Sequence, residues 1–222
     1  MIFGGEERLR EQIENTLRIM DGDLYMVLTA CMVDMIGDQT RAIAAEFQTA
    51  EKPVLCAETG GFRGTAYKGY DIAMSVLIRD YVAKSAKKEE KTVNLLGVVP
   101  IQDVFWQRDL TLLKNLLEQL GLHVNTFFGE DETLENLKSS GQATLNIVLS
   151  PVYGIAAAET YQEVHGIPYM VTPFPIGDVA TSAFLRSLGQ RLELDNTLVE
   201  SVISHNQRIY YRYLEKLVDV YM

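Results

Sequence analysis

TVNLLGVVPIQDVFWQRDLTLLKNLLEQLGLHVNTFF, residues 92–128, reads as strand, helix, strand. Thr92 to Val99 is a short apolar run of the kind that forms a strand buried on both faces. Trp106 to Leu120 repeats its leucines at helical spacing, Gly121 supplies the C-cap, and Leu122 to Phe127 is strand-like again. The alternation then continues. Thr133 to Ser140 reads as a short helix, Asn146 to Ser150 as a strand and Ala156 to Val164 as a helix. Tyr169 to Thr172 is the next strand and Thr181 to Gln190 the next helix. Four βα units in a row imply a parallel sheet with helices on both faces and right-handed crossovers. The expected fold class is α/β, doubly wound and Rossmann-like.

Upstream, the same logic gives a shorter version. Glu6 to Met20 is an amphipathic helix carrying Leu9, Ile13 and Leu17, stopped by Asp21-Gly22-Asp23. Leu24 to Thr29 is a buried strand, followed from Met32 by one helix through about Gln48. Val54 to Ala57 is a strand, Thr59 to Gly64 a glycine-rich loop, and Tyr67 to Lys84 a helix. Ser85 to Lys91, SAKKEEK, is a charge-rich connector without core residues and marks a boundary. Downstream, Asp195 to Tyr221 is one long helix with Leu198, Val202, Leu214, Leu217 and Val218 as its apolar stripe. Its tyrosines, Tyr210, Tyr211, Tyr213 and Tyr221, suit packing against a neighbour. The expected organisation is a partial α/β domain (1–88), a four-stranded α/β domain (89–192) and a C-terminal helix (193–222).

Composition bounds the function. The chain has 222 residues, 30 acidic against 20 basic side chains, a net charge of −10 and 47% hydrophobic residues. A globule of this length buries about 70% of its unfolded surface, and its composition rules out wholesale disorder. The acidity argues against nucleic acid, since phosphate contacts need a basic face. Two cysteines make no disulfide scaffold, and alone they hold neither a four-cysteine zinc site nor an iron–sulfur cluster. No run reaches the ~18 apolar residues of a membrane span. MIFGGEERLREQ has no signal-peptide core, so the expected localisation is cytoplasmic.

In doubly wound sheets ligands sit at the carboxyl ends of the strands, which selects a few loops. Cys31 ends the first strand and begins a helix, a position that favours a thiolate and suits a metal ligand, a nucleophile or plain burial. No histidine is near it in sequence; His123, His165 and His205 are scattered. Cys56 lies within a strand and reads as core. Thr59 to Gly64 offers backbone N–H groups or close backbone approach, but matches neither the dinucleotide nor the Walker glycine pattern. Asp34 and Asp38 share a helix face near its N-terminus, where they suit the dipole. Pro173-Phe174-Pro175-Ile176-Gly177 either lines a pocket or ends a strand.

One ordered set of motifs is more specific. Ile2-Phe3-Gly4-Gly5-Glu6-Glu7 precedes the first helix, and Thr29-Ala30-Cys31-Met32 ends the first strand before Ile36-Gly37-Asp38. Thr59-x-x-Phe62-x-Gly64 and Gly69-Tyr70-Asp71 come next. Gly166-Ile167-Pro168-Tyr169, Pro175-Ile176-Gly177 and Thr181-x-x-Phe184-Leu185 complete the series. In this order the chain resembles the nitrogenase component 1-type oxidoreductases, the molybdenum–iron protein subunits and their relatives, most closely the β-subunit side. The resemblance covers nearly the whole chain.

That resemblance implies an iron–sulfur cluster at the interface of two homologous subunits, fed by an ATP-dependent iron protein reductase and passing electrons to a reducible substrate. It makes Cys31 the metal ligand and places Gly61, Phe62 and Gly64 beside the cluster. The family's other cluster cysteines lie upstream of the Phe-Gly-Gly motif and a further α/β domain follows the long helix, so the chain reads as a central fragment. Such a fragment is expected to be inactive alone and to associate through its terminal helix as a homo- or hetero-oligomer. In molybdenum–iron β-subunits a serine oxygen can reach the oxidised cluster from the position of Gly61, where this chain has none. That departure leaves room for a scaffold that assembles a nitrogenase-type metallocofactor. A metal-free α/β module that binds a small anion at Gly60 to Gly64 stands as the reading without a cluster.

Overall fold

The computed structural model describes residues 5–37, 39–130 and 132–221, with the backbone alone over 218–221. The Ile2-Phe3-Gly4 motif, Asp38 and the side chains of Val218 and Tyr221 lie outside the described residues. Among the described residues six strands form two sheets, each strand parallel to its neighbours.

The first sheet pairs β1 (Tyr25–Leu28) with β2 (Val54–Ala57). Helix α1 (Glu6–Ile19) packs against this sheet through Ile13, which shares a core with Ile43, Ala44, Val54 and Cys56. The single helix expected from Met32 to Gln48 is two helices, α2 (Cys31–Ile36) and α3 (Thr40–Glu46). Gly37 ends α2 in the left-handed region at φ +77°, returning its N–H to the Val33 carbonyl. A glycine takes that conformation without the Cβ penalty, which is why the helix stops there.

The second sheet has the order β4-β3-β5-β6, from β3 (Thr92–Leu96), β4 (His123–Asn125), β5 (Leu145–Val148) and β6 (Tyr169–Val171). The chain leaves β3 to one side and returns to the other, so the order reverses between β3 and β5. One face packs Val93, Leu95 and Ile147 against α5 (Trp106–Glu118), α8 (Gly177–Arg191) and the start of α9 (Asn196–Tyr221). The other packs Leu96 and Val148 against α4 (Ala66–Asp80), α6 (Leu134–Ser139) and α7 (Ile155–His165). This alternation follows from the period-two geometry of a strand.

Helix α4 links the sheets. Val76 packs with Leu55 and Ala57 of the first sheet, while Met74 and Ile78 belong to the core of the second. The connector after it is stitched down at several points. Ala83 N–H reaches the Lys138 carbonyl at 2.8 Å, and Lys88 Nζ donates to the carbonyls of Gly141 (2.7 Å) and His165 (2.8 Å).

Inside the second sheet is a polar seam that sequence periodicity does not reveal. Asn94 faces Asn125 and Asn146 in register. Asn125 Nδ2 donates to Asn94 Oδ1 at 2.8 Å, and Asn94 Nδ2 donates to Asn146 Oδ1 at 2.8 Å and to the Ser140 carbonyl at 3.2 Å. The terminal helix keeps Val202 of its expected stripe in the core and departs from the rest. Val199, Val202 and Ile203 form the buried contact with α8, while Leu198, Leu214 and Leu217 are exposed.

Candidate functional site

The register Leu28↔Ala57 ends β1 and β2 side by side, so the two outgoing loops run together. Thr29 N–H donates to the Ala57 carbonyl at 3.2 Å; Thr59 N–H then donates to Thr29 Oγ1 at 3.0 Å and its hydroxyl to the Thr29 carbonyl at 3.2 Å. These bonds extend the strand pairing by two residues and deliver Cys31 and Gly61 to the same place. Cys31 opens α2, half-buried, and its Sγ accepts the Gly61 N–H at 3.1 Å. A Cβ on Gly61 would stand 3.0 Å from that sulfur, so any side chain there would make the turn or the thiol give by a few tenths of an ångström.

Asp34, one turn along α2, lies beneath the neighbouring residue, and a Cβ on Gly60 would run into its carboxylate. Arg63 Nε donates to Asp34 Oδ2 at 2.9 Å and Arg63 Nη2 to Glu58 Oε2 at 2.8 Å. The Arg63 guanidinium, with further donation from Thr29 and the Gly60 N–H, holds the Asp34 carboxyl below the usual aspartate range. The same carboxylate raises Arg63 above the ordinary arginine value.

The sequence-expected residues therefore divide. Cys31 and Gly61 touch. Phe62 and Gly64 belong to the same turn, a 3-10 turn over Gly61–Arg63, with Phe62 74% exposed. Gly64 turns the chain into α4 at φ +147°, a backbone conformation that favours glycine. Sequence alone does not single out Arg63, Glu58 or Thr29. Their partners lie up to 30 residues away, and no local spacing encodes such contacts. Cys56 is core as expected, and burial pushes its thiol up.

Residues 1–219 match the family model described as nitrogenase component 1 type oxidoreductase. The chain belongs to this family. It is 28% identical over 199 residues to a light-independent protochlorophyllide reductase subunit of Heliobacterium modesticaldum, an alignment covering 89% of this chain and 38% of that relative. It is 29% identical over 180 residues to the nitrogenase molybdenum-iron protein alpha chain of Clostridium pasteurianum, covering 78% of this chain and 32% of the alpha chain. The solved structure "Nitrogenase Cp1 at pH 6.5" superposes with a TM-score of 0.76 at 25% identity, over 97% of this chain and 41% of that one. The chain thus spans about two fifths or less of the length of these relatives. The match confirms the α/β, doubly wound expectation and the nitrogenase component 1 resemblance.

As a member of this nitrogenase component 1 family, the chain can be tested against an iron–sulfur group. A cysteine sulfur at a strand end, bonded by a backbone N–H and faced by a glycine, suits one corner of a cluster, whose sulfurs take such hydrogen bonds. A whole cluster does not fit. Among the described residues no three His, Cys, Asp or Glu side chains are gathered to hold a metal ion. His165, which is buried, places Nε2 2.8 Å from the Ile78 carbonyl.

The strand-order reversal between β3 and β5 is the other place where such folds bind ligands. Here it is filled from within. Tyr153 donates to Asp103 Oδ1 at 3.0 Å and stacks on Tyr67 with ring centroids 4.3 Å apart. Gly154 N–H donates to Asp71 Oδ1 at 2.7 Å. Burial raises the Asp71 carboxyl, and burial together with Asp103 pushes Tyr153 up to about 12. Beside it, an open hollow of about 510 Å³ is lined by Phe105, Trp106, Arg108, Phe128 and Glu130. The Pro173–Gly177 segment ends β6 and leads into α8, leaving Ile176 exposed.

Among the described residues no helix is long and apolar enough to cross a membrane.

Proposed function

We propose that this chain is the cluster-bearing portion of a nitrogenase component 1-type subunit, with Cys31 as one thiolate ligand of an iron–sulfur cluster shared with a homologous subunit. The observation that carries this reading is the Gly61 N–H on the Cys31 sulfur at the paired ends of β1 and β2. The remaining ligands come from outside residues 1–222. When bound, the group supplies one-electron transfer, accepting electrons from an ATP-dependent iron protein and giving them to a reducible substrate.

The chain's own residues prepare the ligand. The paired strands fix the Cys31 backbone, so the thiolate is presented in one direction at little entropic cost. The Gly61 N–H donates to the sulfur, and the lack of a side chain at position 61 leaves the approach uncrowded. Phe62 and Gly64 lie beside the ligand, the former as an apolar surface for the partner to cover. Position 61 offers no side-chain oxygen, so what this chain would give such a cluster here is the Cys31 sulfur.

The test is anaerobic isolation of the protein encoded by the whole reading frame together with its homologous partner. The expected product is coloured, and the iron protein with ATP bleaches it. A coloured product that takes no electrons would be an assembly scaffold. A colourless product, after reconstitution with iron and sulfide, would contradict the cluster reading and leave the small-anion-binding module.

A further inference from the structure

The two strands of the first sheet are covered unequally. β2 is buried at all four residues, whereas Tyr25, Met26 and Val27 of β1 are half-buried and Leu28 is 59% exposed. Tyr25 N–H donates to the Pro53 carbonyl at 2.9 Å and Thr29 N–H to the Ala57 carbonyl at 3.2 Å. In a parallel ladder alternate residues turn to the same neighbour, so Met26 and Leu28 turn their N–H and C=O groups away from β2. Among the described residues no third strand lies along that edge. The edge also lacks the usual guards, since Tyr25–Leu28 carries neither a charge nor a proline. Beside it runs an open groove of about 430 Å³, lined by Leu9, Ile13, Leu17 and Met20 on one side and by Met26 and Leu28 on the other. Helix α1 therefore lines a space that β1 does not fill.

The helices fix the direction in which this sheet continues. Helix α3 belongs to the crossover from β1 to β2, and its Ile43 and Ala44 share a core with Ile13 of α1 and with Val54 and Cys56 of β2. Leu55 and Ala57 point to the opposite face, against Val76 of α4. So α1 and α3 lie on the same face of the sheet. Crossovers between parallel strands are right-handed in nearly all cases, so successive crossover helices on one face carry the chain across the sheet in one direction. The step through α3 runs from β1 to β2. A step through α1 then arrives at β1 from the side away from β2, which is the open edge.

We infer that the open edge of β1 takes up an extended strand, parallel to β1, carried by polypeptide joined ahead of α1. The incoming strand accepts the Met26 and Leu28 N–H groups and donates to the outward carbonyls. Its apolar side chains, at alternate positions, fill the groove under α1. Helix α1 is then the crossover of a βαβ unit. A strand along the four residues of β1, with a loop of about two to six residues, exceeds the five residues ahead of Glu6, so the strand includes polypeptide outside residues 1–222. None of this uses the cluster reading, and it holds equally for a metal-free protein.

The test is hydrogen exchange at the Met26 and Leu28 amides. It is followed by NMR in the 222-residue chain, and by residue-resolved mass spectrometry in the protein encoded by the whole reading frame, with and without its homologous partner. In the 222-residue chain both amides are expected to exchange freely while Val27 is protected. In the whole protein both are expected to exchange at least about a hundredfold more slowly, with or without the partner. Equal rates in the two proteins would overturn the inference. So would protection that rises with the concentration of the 222-residue chain, which marks a second copy as the occupant. Protection that appears only on adding the homologous subunit would overturn it too. Met26→Pro gives a second readout, because it removes one outward N–H and spares the β1–β2 bonds. The melting temperature is expected to move by less than about 2 °C in the 222-residue chain and to fall by more than about 5 °C in the whole protein. Equal shifts in both would overturn the inference, and the wild-type exchange rates decide it if the variant does not fold.

Discussion

The Gly61 amide donates to the Cys31 sulfur at 3.1 Å across the ends of two paired strands, 30 residues apart in the chain. The function proposed for this protein depends on what that sulfur does. The contact holds the Cys31 sulfur at the strand ends, and the lack of a side chain at Gly61 spares that sulfur a crowded neighbour.

Gly61→Ala tests the second half of that statement. Gly61 is not among the glycines with positive φ, so alanine fits the backbone. Its Cβ would stand 3.0 Å from Sγ, and the turn must yield by a few tenths of an ångström. Stability by urea denaturation is expected to change by less than about 1 kcal/mol. Iron content of the assembled complex is expected to fall, though less than in Cys31→Ala. Full iron content would show that the close approach has no bearing on the ligand.

The asparagine seam should matter to stability. Asn94 is fully buried and serves Asn125, Asn146 and the Ser140 carbonyl at once. Asn94→Ala strands those groups in a dry sheet and leaves a small void. A loss of roughly 2–4 kcal/mol is expected in chemical denaturation. A change under about 0.5 kcal/mol would mean that the seam is hydrated or repairs itself.

Asp71 gives a pH dependence with a definite sign. Burial raises its folded pKa above the ordinary 3.8, even though the Gly154 N–H acts against that shift. The folded state therefore holds the proton more tightly than the unfolded one. This contribution grows as pH falls through the folded pKa toward 3.8, and the penalty is fully present above the folded pKa. Asp71→Asn keeps an oxygen for Gly154 and removes the charge. At pH 7 the variant is expected to be at least as stable as wild type, with wild type gaining relative to it between pH 7 and pH 4. Parallel stability curves across that range would contradict the assignment.

Much of the fold is legible in the sequence because its signals are local. Apolar runs such as Leu24–Thr29 and Thr92–Val99 mark parallel strands, and glycines such as Gly121 mark helix ends. Spacing assigns Asp34 to its own helix dipole, yet its main partner is Arg63, 29 residues on. Position along a helix cannot encode a contact made by a loop from another strand. Gly37 hides within a single helical pattern, because an isolated glycine there is tolerated unless the backbone turns left-handed. The stripe of α9 departs from expectation for a different reason. A 26-residue helix carries several apolar faces, and burial depends on where the neighbour lies, here against Val199, Val202 and Ile203. The cluster role proposed for Cys31 is not legible from its surroundings. It comes from the ordered motifs, and the family match covers the residues that carry them.

The most direct measurement is the iron and acid-labile sulfide content of the complex formed by the full reading frame and its homologous partner, isolated without oxygen, with Cys31 intact and with Cys31→Ala. A stoichiometric cluster is expected in the first and its loss in the second, with the two subunits still associated. Equal iron in both would show that Cys31 is not a ligand and would contradict the proposed function at its centre.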